Sequence, residues 1–192
     1  MNRTTARILL TLLLAVLAAP AAAHPFHGAG PGFAAGLAHP FLGLDHLLAM
    51  VAVGVWAAQI GGRALWAVPL SFVGTMLAGG VLGLAGFTLP GVEPMIAASV
   101  LVLGLLVVSG WKTGAAPGAL LVAFFALFHG LAHAAALPLD ASAVTYALGF
   151  VLATATLHTA GIGAGSGLNK WSRIAGAPIA LAGGWLLVQS IA

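Results

Sequence analysis

From residue 41 to the end, the sequence is a series of six apolar stretches, 41–60, 64–84, 94–109, 118–137, 142–161 and 174–192, parted by short runs of glycine, proline and charge. Each is close to the ~20 residues a helix needs to cross the ~30 Å hydrocarbon core of a bilayer. Hydrocarbon satisfies no backbone N–H or C=O, so stretches of this kind must bond internally, as helices. Charge makes the same point. Only 5% of the 192 residues are Asp, Glu, Lys or Arg, while 61% are hydrophobic; a soluble domain carries roughly 25% charge. The expected fold is all-α, a polytopic helix bundle with six transmembrane helices and the lipid bilayer as its medium. The preceding stretch, 28–38, is rich in Gly and Ala and is expected as a short half-helix or surface loop ending at Pro40.

The N-terminus reads as a targeting signal. Arg3 and Arg7 precede an apolar run from Ile8 to Ala19, then Pro20 and Ala21-Ala22-Ala23. A basic head, an apolar middle too short to span and a small-residue end describe a cleavable secretory signal. The organisation expected is a signal peptide over 1–23, an exported N-terminal segment over 24–40 and a transmembrane domain over 41–192. The mature chain then begins with His24 in the periplasm of a bacterial inner membrane. Counting six crossings from there leaves Arg63, Lys112, Lys170 and Arg173 on the inner side, and no Lys or Arg in the outer loops around 88–93 and 138–141. That sorting obeys the positive-inside rule; one crossing more or fewer would break it.

Several functions are excluded early. The net charge of +3 is a small difference, six Lys/Arg against three Asp/Glu with no basic run, so nucleic acid is not a partner. There is no cysteine, which removes disulfides, thiolate catalysis and Cys-based metal centres. No phosphate-binding G-x-x-x-x-G-K-[ST] loop is present. The glycine clusters, Gly79-Gly80-x-x-Gly83-x-x-Gly86 and Gly183-Gly184, are read as close helix packing.

What remains is seven histidines. Ionisable groups at membrane depth are costly, face the bundle interior and mark pathways. The first span opens His39-Pro40-Phe41-Leu42-Gly43-Leu44-Asp45-His46. His39 lies seven residues before His46 and would share its helix face if Pro40 permits the turn. Asp45 alone could be a first-turn acid favoured by the helix dipole, but that does not explain two neighbouring histidines. In the fourth span His129 and His133 stand at i, i+4, on one face with Cβ atoms about 5–6 Å apart, the spacing of two ligands to one metal. The zinc hydrolases share it as H-E-x-x-H, with the Glu as general base; here Gly130 stands at the position of that Glu, so the water-activating acid is missing and an enzyme is not expected. His158 ends the fifth span beside Thr154, Thr156 and Thr159, and Glu93 begins the third. The expected topology puts His39, Asp45, His46, Glu93 and His133 towards the outside, His129 near the middle and His158 deeper, a cation site with a way onward.

At these residues the chain resembles the HupE/UreJ family of bacterial nickel transport proteins, some of which carry cobalt. The family's H-x5-D-H pattern is matched at His39, Asp45 and His46 and continues through Leu47 to Ala57. Its F-H-G-x-A/V-H-G-x-E motif is matched at Phe128, His129, Gly130, Ala132 and His133, then departs, with Ala134 for the glycine and Ala136 for the glutamate. The exported start at His24-Pro25, the stretch from Glu93-Pro94 to Ser99-Val100, and Leu148-Gly149-Phe150 through His158 extend the likeness along the chain. The resemblance implies nickel uptake for hydrogenase or urease maturation.

The residue chemistry supports a borderline divalent ion. Imidazole suits nickel, zinc, copper and iron; an oxygen-only shell would suit magnesium or calcium. The resemblance, and not the spacing, selects nickel, with cobalt or zinc as the other ions this ligand set accepts. Metal binding competes with protons, so uptake is expected to fall once external pH drops below about 6, near the ordinary histidine pKa of ~6.5. His24 and His27 form a candidate external capture site. The rival reading is a membrane metal- or haem-binding protein, a sensor or assembly factor, without transport; haem ligation by these histidines predicts a coloured protein. Oligomeric state, a homo-oligomer included, is left open.

Overall fold

A computed structural model describes residues 32–137, 142–168 and 172–192, and in these all regular structure is helical. The helices are α1 (Phe33–Leu42), α2 (Leu44–Ile60), α3 (Ala64–Leu84), α4 (Val92–Ser109), α5 (Ala115–Ala136), α6 (Ala143–Leu168) and α7 (Ser172–Ile191). The signal-like stretch 1–23, His24, His27, the outer loop 138–141 and Lys170 lie outside the described residues.

Five helices, α3 to α7, are long and apolar enough to cross a membrane. The α1–α2 pair passes the same test together but bends by 83° at its break. This corrects the expectation for the first span. Neither a loop nor a half-helix stops at Pro40; α1 runs through Pro40 to Leu42, and α2 begins only at Leu44. Proline removes one backbone donor and crowds the carbonyl four residues back. Three residues later Gly43 adopts extended backbone angles, φ −92° and ψ 116°, which end one helix and start the next.

Glycine sets how the spans pair. A Cβ on Gly79 would run into the Leu127 carbonyl, and one on Gly130 into the Met76 carbonyl, so α3 and α5 touch backbone to backbone. Gly54 and Gly161 do the same for α2 and α6, and Gly104 and Gly176 for α4 and α7. Close approach through small residues is how helices associate where lipid gives no hydrophobic drive. The packing reading holds for Gly79, Gly83 and Gly183, whereas Gly86, at φ 87° with open space around it, is a turn residue.

The register of these contacts gives relative direction. Gly79 meets Leu127 and Gly83 meets Ala134, so α3 and α5 run parallel; Gly54 meets His158 and Gly165 meets Val55 and Ala58, so α2 and α6 do too. Gly104 meets Ala180 while Gly183 meets Leu101, so α4 and α7 run antiparallel. Spans one and five, two and four, and three and six have the directions that six alternating crossings require.

Side-chain bonds gather one end of the bundle. Trp56 Nε1 donates to the Trp111 carbonyl at 3.0 Å, and Gln59 Nε2 donates to the Val107 carbonyl and to Ser172 Oγ, each at 3.1 Å. Arg63, Lys112 and Arg173 all belong to this end. The Arg63 guanidinium lies 5.9 Å from the Trp66 ring centroid, and Trp66 and Trp111 are exposed, in the manner of interfacial anchors. The core between the ends is apolar, with Met50, Val53, Trp56, Phe72, Val100 and Leu103 fully buried.

Candidate metal site

At the end opposite the arginines, the bend between α1 and α2 folds His39 over His46. In a straight helix seven residues would separate them by about 10 Å along the axis. Here their ring centroids are 5.7 Å apart, so proximity comes from the break at Gly43 and not from a shared helical face. On α5, His133 adds a third ring, 4.8 Å from His39 and 4.5 Å from His46. One ligand nitrogen from each of the three lies within 4.8 Å of the others. An ion held at ~2.1 Å by each nitrogen needs donors about 3–3.5 Å apart, which side-chain rotations supply.

His129 continues the series from one helical turn below His133, its ring 5.0 Å from that of His46. The i, i+4 spacing therefore does what the sequence suggests: both α5 imidazoles face His46. Gly130 between them has a structural reason. Its Cα side presses on α3, against the Met76 carbonyl and the Gly79–Gly80 backbone, where no side chain fits. Ala134, in the place of the family glycine, faces Gly83, whose added Cβ would strike Ala134 Cβ. The alanine is accommodated because α3 offers a glycine opposite it.

Two groups orient the imidazoles. Asp45 Oδ1 lies 2.6 Å from His46 Nδ1 and also accepts the His46 backbone N–H at 2.7 Å. The carboxylate can only accept, so Nδ1 carries the proton and Nε2 presents a lone pair. Ser99 Oγ donates to the Ile96 carbonyl at 2.6 Å and sits 3.0 Å from His129 Nε2. With its one proton committed to a carbonyl, the serine must accept from Nε2–H, which leaves the lone pair on Nδ1. Both free nitrogens, His46 Nε2 and His129 Nδ1, are buried and have no hydrogen-bond partner among the described residues; so are both nitrogens of His133. Hydrogen bonds that fix tautomer and ring orientation are the usual outer support of metal-binding histidines.

The walls are apolar and aromatic. Phe150 lies 3.9 Å from the His133 ring, centroid to centroid, and Tyr146, the only tyrosine of the chain, 6.0 Å from His39. A cavity of about 230 Å³ between α3, α5 and α6 reaches His133 and Tyr146 past Met76, Gly80 and Phe150. Water is poorly accommodated by such a lining.

The other expected residues are placed apart. His158 is buried on α6 against Phe72, with ring centroids 5.4 Å apart, outside the three-histidine group. Glu93 stands exposed in the first turn of α4 and is not among the clustered donors. Asp45 is near the cluster as the partner of His46. Sequence reasoning assigned nothing to Ser99, Tyr146 or Phe72. Ser99 had a signal, a hydroxyl in the apolar middle of a helix whose other polar residues, Glu93 and Ser109, lie at its ends; Phe72 had none, because a phenylalanine in a membrane span is ordinary.

No solved structure matches the chain. Protein HupE of Rhizobium leguminosarum bv. viciae is 48% identical over 185 residues, covering 93% of this chain and 97% of that protein. The family described as HupE / UreJ protein matches residues 12–186. The family match over most of the chain and the identity to a curated relative along nearly its whole length show that the protein, with its His39, Asp45 and His46 and its α5 histidine pair, belongs to the HupE/UreJ family.

Proposed function

We propose that this protein is an inner-membrane permease that imports divalent nickel, with cobalt as a second substrate, for the maturation of a hydrogenase or urease. The observation that carries the reading is the convergence of His39, His46 and His133 from three helices, one ring nitrogen of each within 4.8 Å of the others, with His46 Nε2 and both His133 nitrogens buried and unpartnered among the described residues. Buried polar groups without partners are costly in such surroundings. Their concentration at one place is what a site for a dehydrated divalent ion requires. Asp45 supplies compensating negative charge beside His46, His129 takes the ion deeper, and His158 stands on the inward side. Glu93 and, on the exported N-terminus, His24 serve as outer capture groups. In this reading residues 1–23 are a removed signal and 24–40 face the periplasm.

Nucleotide hydrolysis is not needed. A divalent ion crossing an inside-negative potential of ~100 mV gains about 4.6 kcal/mol, at ~2.3 kcal/mol per charge. That sustains roughly thousandfold accumulation, since each ~1.4 kcal/mol is tenfold.

The test is uptake of radioactive nickel by cells producing the wild type, His46→Ala or His133→Ala at matched membrane levels. Uptake should require both histidines and be competed by excess cobalt. Equal uptake by all three proteins would dispose of transport through this site.

A further inference from the structure

The imidazoles form a file that one phenyl ring interrupts. From His133 to His46 to His129 the ring centroids are 4.5 and 5.0 Å apart. The next ring is Phe72 of α3, 5.4 Å from His129, and beyond it comes His158, also 5.4 Å from Phe72 and nearly perpendicular to it at 87°. Phe72 is fully buried. It offers a π face, which attracts a cation only weakly and by electrostatics, where every neighbour in the file offers a nitrogen lone pair.

Beyond the phenyl ring is a second polar spot. Thr154 and His158 stand at i, i+4 on α6, on one face. Thr154 Oγ1 and both ring nitrogens of His158 are buried and without hydrogen-bond partners among the described residues. The groups flanking Phe72 are held: His129 by its bond with Ser99, and the His158 backbone by the contact of its carbonyl with Gly54. The phenyl ring itself is kept in place by packing alone, with no hydrogen bond to break when it rotates.

We propose that Phe72 is the occluding gate of the pathway, separating an outer station (His39, His46, His133 and His129) from an inner station (His158 and Thr154), so that an ion advances only when the phenyl ring swings out of the file. The inference rests on the transport reading above and assigns its rate- and selectivity-setting residue. In the file of rings, the member between His129 and His158 offers an ion no lone pair. A ring that fills this interval also keeps water, and hydrated ions with it, from forming a continuous path.

The experiment separates binding from passage. Purified wild type, Phe72→Ala, Phe72→Leu and Phe72→Trp are reconstituted in proteoliposomes under an imposed inside-negative potential, and entry of radioactive nickel and of calcium is followed. Nickel binding to the same proteins is measured by equilibrium dialysis. Phe72→Trp should lower nickel entry by about tenfold or more, and Phe72→Ala should admit calcium that the wild type excludes, both with nickel affinity within about twofold of wild type. Phe72→Leu, which keeps an apolar plug of lesser size, should fall between wild type and Phe72→Ala. Unchanged entry and selectivity in the variants that reconstitute would overturn the gate, as would a loss of entry matched by an equal loss of binding, which makes Phe72 a packing residue of the outer station. Should the wild type bind nickel but not pass it, the transport reading fails, and the gate with it; should it pass nickel while the Phe72 variants behave as wild type, only the gate fails.

Discussion

Asp45 Oδ1 contacts both the ring Nδ1 and the backbone N–H of His46, at 2.6 and 2.7 Å. One oxygen thus fixes the ring of the neighbouring residue and the first turn of α2 together. A carboxylate in this place keeps the proton on Nδ1 and the lone pair on Nε2, and its negative charge remains beside the site.

Asp45→Asn tests that role. The amide keeps the size and one oxygen that can still accept from Nδ1–H, but it loses the charge that strengthens this bond and offsets that of an ion. Outer-shell changes of this kind lower metal affinity by about 10–100-fold. Nickel affinity of purified Asp45→Asn should fall within that range while thermal stability changes little. A loss as complete as that of His46→Ala would instead make Asp45 a direct ligand.

Gly43→Ala addresses the bend. The φ of −92° at Gly43 is open to any residue, so the backbone does not require glycine. Space does: a Cβ would lie 2.8 Å from Asp45 Oδ1 and 3.2 Å from His46 Nδ1. The carboxylate must rotate away and its bond to the ring is lost. The expected result is nickel binding weakened by about tenfold, with helix content and melting temperature near wild type. Retained affinity would show that the Asp45–His46 bond does not hold the site.

Much of this was legible in the chain. Apolar runs of membrane length located the five long helices α3 to α7, and the bounds expected for 64–84 agree with α3, whereas the first run proved to be part of a bent pair. The i, i+4 pair on α5 pointed to its common face because helical periodicity is local. The meeting of His39 with His46 was legible only as a possibility. It depends on an 83° bend, and Pro40 marks a weakened place without stating an angle. The separation of Glu93 from the cluster could not be read either, since its distance from His133 depends on how α4 packs against α5. Ser99 was visible as a polar atom in an apolar span, but its partner His129, 30 residues on, is a tertiary fact.

Ser99→Ala removes the acceptor that orients His129. The Nε2–H would then be buried without a partner, a penalty of about 1–3 kcal/mol unless the ring changes tautomer. A tautomer change moves the lone pair from Nδ1 to Nε2. Nitrogen NMR of labelled histidine should show the proton on Nε2 of His129 in the wild type and a mixed or inverted population in the variant, with slower nickel uptake. The wild-type tautomer persisting in Ser99→Ala would remove Ser99 from the site's support.

The tightest constraint on the α5 motif is steric, and Gly130 carries it. Any Cβ there meets the Met76 carbonyl, the Gly80 nitrogen and the Gly79 Cα on α3, whereas one on Gly80 comes no closer than 3.8 Å to the Gly130 carbonyl. Gly130→Ala should therefore force α3 and α5 apart, destabilising the protein by about 1–3 kcal/mol or more, and Gly80→Ala should be nearly silent. Gly130→Glu, which writes the H-E-x-x-H hydrolase pattern into α5, is expected to prevent assembly before any chemistry is possible. Melting temperatures in detergent, read from intrinsic tryptophan fluorescence, distinguish the variants. Wild-type stability of Gly130→Ala would mean that α3 and α5 are not in backbone contact, and the depth assigned to His129 beside Phe72 would then be wrong as well.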